Sequence, residues 1–450
     1  MRRRVGIGVA LVLATVGAVG IGLAVDGGSA GSGPTLPAPV CGTYDGRGCA
    51  PQSDRVDTTV PSFSDPTTID NPLNPIGELR SALLLGTVDE ERLRVETTLL
   101  PGTKPIRWGD QTIEALASQY VAYLDGRIDE VAIDWYAQAD DGAVWYLGED
   151  VFNYEDGVIA DTEGTWLTGR DGPPAMIMPA DPEVGDVYRP ENIPGIVFEE
   201  VTVEEVGKTV AGPRGPVSGA IVVDELHLDR SHERKVFAPG YGEFSTGSGR
   251  DVEALASAVP TDALPGPAPA ELETLSTGAV GLIAAAQTEE WKGAAATLER
   301  VTAAWSSVRA AGVPRLIEAE MLRSFAVLAA AVEAERPLRV AHAAIDVAQS
   351  ALDLELRHRP PVEIDVERFA LRASQLAVHA GERDAAGVTG DVAVLEWIRD
   401  RVSHVLDARG RTEIDARLRA LRAAADVRNL TAAADHAARL AARLRHLAAQ

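Results

Sequence analysis

Between Phe63 and Ser248 apolar and polar positions follow one another in short runs, whereas beyond Asp262 the apolar positions recur every three to four residues. The first texture is that of strands, the second that of amphipathic helices. Arg92 to Leu99 alternates polar and apolar β-formers, and Thr112 to Leu124 is a less regular strand. Ile128 to Tyr136 and Ala143 to Gly148 flank Asp140-Asp141-Gly142, a glycine-containing turn of hairpin type. Val197 to Val210, Gly219 to Leu228 and Glu233 to Phe237 continue the series. Hairpins in sequence predict an antiparallel sheet, curved into a half-barrel.

In the second half, Trp291, Leu298, Val301, Trp305 and Val308 fall on one helical face. Ile317, Met321, Phe325, Leu328 and Val332 form a second stripe after Pro314. Further stripes run through Val366 to Leu376, Leu395 to Val405 and Leu430 to Leu447. Six or seven helices in an antiparallel bundle are expected, with breaks at Gly312, Arg336-Pro337, Pro360-Pro361, Gly387 to Gly390 and Gly410.

The predicted fold class is therefore α+β, with five segments along the chain. Residues 1–25 are an export signal or membrane-anchor helix, because Arg2, Arg3 and Arg4 precede an uncharged run from Val5 to Val25. Residues 26–61 are a flexible spacer rich in Gly, Pro, Ser and Thr. Residues 62–250 form the curved antiparallel β domain, 251–274 a Pro/Ala linker, and 275–450 a separate all-α antiparallel helical bundle.

The formal net charge of −25 excludes nucleic acid as a partner and leaves membrane contact only to residues 5–25. Ser276 to Gln450 holds 23 basic and 23 acidic residues, so the front of the chain carries the whole excess. Basic residues are nearly all Arg, and the four lysines, at 104, 208, 235 and 292, read as coding bias rather than chemistry. The only cysteines, Cys41 and Cys49, predict one local disulfide in an oxidising compartment. Either fate of the N-terminal segment places the bulk of the chain outside the cytoplasm, membrane-anchored or secreted.

Several words in the β region occur in a fixed order: Asp134-Trp135-Tyr136-Ala137-Gln138, Val144-Trp145-Tyr146-Leu147-Gly148-Glu149-Asp150, Glu163-Gly164-Thr165-Trp166 and Met176-Ile177-Met178-Pro179. With Phe63 to Pro72 upstream and Phe237 to Gly242 downstream, they resemble a family of uncharacterised secreted bacterial proteins over about Phe63 to Ser245. Leu147 stands where that pattern has an aromatic, and Glu78 to Gly86 departs from its Gly/Trp/Tyr strand, so an irregular opening strand pair is expected. Asp353 to Pro361 and Leu395 to Arg401 resemble C-terminal domains of exported actinobacterial proteins. The resemblance implies the fold and an exported location and brings no activity.

Trp135, Tyr136, Trp145, Tyr146, Tyr154 and Trp166 are the candidate ligand face, an aromatic-lined concavity for an apolar ligand or a protein partner. The competing account is core packing and cross-strand pairing. Asp140, Asp141, Glu149, Asp150, Glu155, Asp156, Asp161 and Glu163 crowd the same hairpins and suggest either solvated turns or a divalent cation. In the bundle, Asp353, Glu355, Glu363 and Asp365 with Arg357, Arg359 and Arg368 fit an interhelix ion network, and Asp353 with Arg357 a plain i,i+4 pair. Asp400 and His404 are a weak cation pair. His227, His232, Asp224 and Asp229 are the sole front-domain candidates for acid–base work, in a dispersed hydrolase site. No zincin, Walker or dinucleotide motif occurs. The expectation is a non-enzymatic extracytoplasmic binding or structural protein with no cofactor, and as alternative a divalent-cation binder or sensor.

Overall fold

The computed structural model describes residues 40–448. The expected export or anchor segment at 1–25 lies outside the described residues, and no described helix is long and apolar enough to cross a membrane.

Fourteen strands follow one another among the described residues: β1 (Ser81–Val88), β2 (Glu91–Trp108), β3 (Gln111–Leu124), β4 (Arg127–Gln138), β5 (Val144–Glu155), β6 (Val158–Asp161), β7 (Trp166–Leu167), β8 (Ala175–Met178), β9 (Val187–Ile193), β10 (Val197–Gly212), β11 (Gly215–His227), β12 (His232–Ala238), β13 (Gly242–Ser248) and β14 (Asp251–Val259). They form one antiparallel sheet in the order β6-β5-β4-β3-β2-β1-β14-β13-β12-β11-β10-β9, with β7 and β8 on β5. Along that order every neighbour but β1–β14 is a sequential hairpin, the low-entropy way to build a large sheet. β8 pairs with β5 and lies against β9, so the two ends of the sheet meet and the sheet curls around an interior.

Strand alternation then sorts side chains into two sets. On β2, Val95 and Thr97 line the interior, while Arg94 and Glu96 point the other way, to the helices. The opening pair β1–β2 is regular; the irregularity lies between β1 and β14, where the register shifts at Leu83/Leu84. The sheet also runs further than expected. β14 occupies Asp251–Val259, the first part of the segment read as linker, because Leu255, Ala256, Ala258 and Val259 are buried.

The described part of the expected spacer is likewise not free. Cys41 and Cys49 form a disulfide, with Cα atoms 5.6 Å apart. Tyr44 N donates to Leu228 O (2.9 Å), Ala50 N to Glu200 Oε1 (2.7 Å) and Arg189 Nη1 to Val40 O (2.8 Å). These bonds tie residues from Val40 onward to β9, β10 and the end of β11, giving backbone donors and acceptors the partners a loop otherwise finds in water.

Eight helices follow among the described residues: α1 (Ala270–Gln287), α2 (Trp291–Ala310), α3 (Arg315–Glu333), α4 (Pro337–Glu355), α5 (Pro361–Glu382), α6 (Ala385–Val402), α7 (Ala408–Asp426) and α8 (Leu430–Ala448). Breaks at Gly312, Pro337 and Pro361 fall where the punctuation residues put them. Gly387 and Gly410 instead lie inside the first turns of α6 and α7, and Gly390 in the second turn of α6. Asp384 and Asp407 cap those helices, accepting from Gly387 N (2.9 Å) and Gly410 N (2.6 Å), so the breaks precede the glycines.

The helices do not form a separate bundle. Leu83, Leu85, Ala256 and Val259 share one core with α1 to α4, and Val121, Tyr123, Ile128, Val131 and Tyr154 share another with α5 to α8. The helical layer therefore roofs the outer face of the sheet, and the β5–β6 turn touches α6. Gly157 (φ +78°) is required there, because a Cβ would sit 2.4 Å from Ala386 O.

A buried ion network closes the seam. Glu96 meets Arg94 (2.8 Å), Arg401 (2.8 Å) and Arg368 (3.9 Å); Asp353 meets Arg94 (2.7 Å) and Arg368 (2.8 Å); Asp365 meets Arg368 (3.3 Å) and Arg401 (3.6 Å). Three guanidiniums balance three carboxylates. Asp353 is thus bound to the sheet rather than to Arg357, whose Nε donates to Asp262 O (3.4 Å).

Candidate functional site

The curled sheet encloses a cavity of about 170 Å³ lined by residues of β1 to β4, β5, β8 and β9 to β14. Tyr120, Tyr136, Tyr146, Tyr188 and Tyr241 supply rings, while Ile76, Leu79, Leu99 and Phe237 stand half-buried toward solvent. The lining also holds six carboxyl side chains, Asp134, Glu191, Glu199, Glu225, Glu243 and Glu253, against a single cation, Lys235. The concavity therefore carries a converging titratable set, which an apolar ligand face would not.

Register explains the convergence. Glu225 stands directly opposite Glu233 and two pairs from Lys235, which faces Val223; Asp134 stands opposite Glu149. Asp134, Glu225 and Lys235 sit at inward positions of their strands and line the cavity. Lys235 Nζ lies 2.5 Å from Glu225 Oε2 and is the cavity's built-in counter-ion. Burial alone would raise Glu225, but Lys235 and then His227 hold it below the usual carboxylate range. Burial would lower Lys235, and Glu225, Glu199, Glu243 and Glu233 together raise it well above the ordinary ammonium value.

The remaining carboxyls go the other way. Burial, then Glu225 and Glu191, push Glu199 well above its usual range; burial and Glu243 do the same to Glu253. Glu149, fully buried, lies behind the lining, and no donor among the described residues reaches either of its oxygens. Burial and the neighbouring Glu191 raise it strongly, so a proton on Glu149 is what this pair needs. Asp134 is raised to about 7 by burial, opposed by the hydroxyl of Tyr146 that donates to it (2.8 Å). Glu233 is raised to about 7 by burial. Tyr188 Oη, Glu191 Oε2, Glu199 Oε1 and Glu253 Oε2, all on lining residues, find no donor among the described residues other than neighbouring carboxyls: Glu191 meets Glu149, Glu199 meets Glu225 and Glu253 meets Glu243, pairs that must share a proton. Buried carboxyls left to pair with one another in one cavity are unusual and ask for further donors.

Comparison with known proteins finds no matching family model and no matching curated protein.

The six aromatic candidates divide. Tyr136 and Tyr146 line the cavity, stacked with centroids 4.9 Å apart, and Trp166 meets Tyr146 edge-on at 5.5 Å. Trp166 Nε1 donates to Glu191 Oε1 (3.2 Å), so it holds a cavity carboxyl in place. Trp135 and Trp145 belong to the opposite face and are buried, with Lys104 Nζ 3.0 Å from the Trp135 ring centroid. Tyr154 lies at the helical seam, where Trp397 Nε1 donates to its hydroxyl (2.9 Å).

The acidic hairpin residues largely serve turns. Asp140 accepts from Ser62 Oγ (2.7 Å) and Ser64 N (2.7 Å), Asp141 from Ala143 N (3.0 Å), and Asp161 from Asn153 Nδ2 (2.6 Å) and Glu163 N (3.1 Å). Of the histidines, exposed His232 binds Asp224 (2.7 Å), whereas His227 lies 3.6 Å from Glu199 and 3.8 Å from both Glu225 and Glu233. The strand separates the two histidines instead of joining them in one site. Asp400 pairs with Arg399 (2.8 Å) and not with His404.

Sequence reasoning missed Glu191, Glu199, Glu225, Glu233, Glu253 and Lys235. The available signal was single charges at inward positions of apolar strands, as in Val197 to Val203 and Ile221 to His227. Lysine scarcity was the second signal: one of only four lysines occupies the centre of the acidic set.

Proposed function

We propose that the protein is a non-enzymatic, extracytoplasmic binding protein, anchored or secreted, whose sheet interior takes up a small organic cation. The observation carrying this is the row of buried lining oxygens with no donor but a neighbouring carboxyl, on side chains that outnumber cations six to one. An ammonium group supplies donors and charge together, and on entry displaces protons from carboxyls that burial keeps protonated. The stacked Tyr136 and Tyr146 add ring faces favourable to a cation. A cavity of about 170 Å³ suits a ligand the size of benzene, which fills an engineered ~150 Å³ cavity. The Cys41–Cys49 disulfide is compatible with an oxidising location, and the resemblance to secreted proteins supports the same placement.

Calorimetric titration of the full chain with short alkylammonium ions and diamines, alongside neutral alcohols of equal size, tests the proposal. Amine binding should strengthen from pH 5.5 to pH 8, and Glu199→Gln should weaken it by at least about tenfold, as loss of a charged hydrogen-bond partner costs ~1.5–3 kcal/mol. Equal binding of alcohol and amine, or no heat from any amine, overturns it.

A further inference from the structure

A second cluster lies apart from the sheet interior, on the helical layer. α5 presents His379 and Glu382, three residues apart and so on one helical face, and the neighbouring α4 presents His342. One ligand atom from each of the three falls within 4.8 Å of the others. His342 Nε2 lies 2.9 Å from Glu382 Oε2, and the two imidazole centres are 5.5 Å apart. Two imidazoles sharing one tetrahedral ion at a metal–nitrogen distance of about 2.0–2.1 Å have ring centres roughly 5 Å apart. The rings are already at that spacing.

The surroundings of His379 sharpen this. Its Nδ1 is 2.7 Å from Asp391 Oδ2 on α6, and Asp391 is itself 3.4 Å from Arg372. With Nδ1–H donated to the carboxylate, the Nε2 lone pair is left for a metal, the carboxylate–histidine–metal arrangement that orients ligands and raises their basicity. The imidazole plane is held by backbone: a Cβ on Gly387 would lie 2.8 Å from His379 Cγ and Nδ1. His379 is buried, whereas the side chains of His342 and Glu382 are 39% and 27% exposed, so an ion has a route in.

We infer that His342, His379 and Glu382 form a binding site for a transition-metal dication of the zinc class, with Asp391 as the positioning residue and an open coordination position toward solvent. Two imidazole nitrogens and one carboxylate select zinc or cobalt over calcium or magnesium, which prefer all-oxygen sets. Binding replaces the proton between His342 and Glu382 with the ion. This site shares no residue with the sheet interior and stands whether or not that cavity takes a cation.

Titration of chelator-stripped full-length protein with Co²⁺, followed by the visible bands of tetrahedral cobalt and by displacement with Zn²⁺, tests the inference. One equivalent should bind with intense bands. His342→Ala and Glu382→Gln, at partly exposed positions that leave the fold intact, should abolish the bands, and Asp391→Asn should weaken binding roughly 10–100-fold. His227→Ala, in the sheet interior, should change nothing. Absence of bands in the unsubstituted protein, bands that survive both His342→Ala and Glu382→Gln, or bands lost only in His227→Ala would each overturn the site.

Discussion

Arg401→Met will lower the unfolding free energy by about 3–5 kcal/mol, the cost of stranding buried charges when one partner of a network is removed. Arg401 is fully buried and meets Glu96 at 2.8 Å and Asp365 at 3.6 Å, so its loss leaves three carboxylates facing two guanidiniums. Against the roughly 5–15 kcal/mol of a typical native state, this is a large effect. Removing Glu96 as well restores the balance at two charges of each sign. The double substitution Arg401→Met, Glu96→Leu should therefore cost less than the sum of the single ones, with a coupling of about 0.5–3 kcal/mol in chemical denaturation. Strict additivity, or a single-variant cost below about 1 kcal/mol, would mean that the seam rests on its apolar contacts and not on charge balance.

The second large effect is a loss of stability on the alkaline side. Asp134 and Glu233, raised to about 7, and Glu149, Glu199 and Glu253, raised well above the ordinary range, bind protons more tightly folded than unfolded. Their contribution is whole below the unfolded values near 4 and is lost progressively from there as pH rises through each folded value, about 7 for Asp134 and Glu233. For Asp134 alone, a rise of about three units corresponds to a limit on the order of 4 kcal/mol. Glu96 and Asp353 have the opposite sign: burial opposes their ionisation, but the surrounding arginines hold both below the usual range. Their contribution is present above about pH 4.5 and lost in stronger acid. Thermal melts should therefore show greatest stability near pH 4.5 and a decline from there through pH 7. Asp134→Asn should flatten part of that decline. A melting temperature that rises steadily from pH 5 to pH 8.5 would contradict the assignment of protons to the interior.

These two charge systems show what a linear pattern reveals and what it hides. Strand alternation in Arg92 to Leu99 and the apolar stripes of α2 and α3 announced their elements, because burial of one face is a local property of the sequence. Weak strands such as β13 (GEFSTGS) and β14 were not legible, since they are held by neighbours rather than by their own pattern. The docking of helices on the sheet was hidden for a related reason. Asp353 with Arg357 looks like a helical pair, yet the partner that matters, Arg94, is 259 residues away. The interior was hidden because an inward Glu and an outward Glu look alike until register is known. Tyr136, Tyr146 and Trp166 were found through aromatic content, while Glu199, Glu225 and Lys235 converge only after β10, β11 and β12 pair.

Protonation of the sheet interior is most directly measured by carbon-13 NMR of the side-chain carboxyls through a pH titration of the folded chain, with Asp134→Asn and Glu233→Gln supplying assignments. Midpoints near 7 for these two residues, with that of Glu149 well above the ordinary glutamate range, are the predicted result. Ionisation of all three near pH 4 would contradict a proton-loaded, cation-accepting cavity.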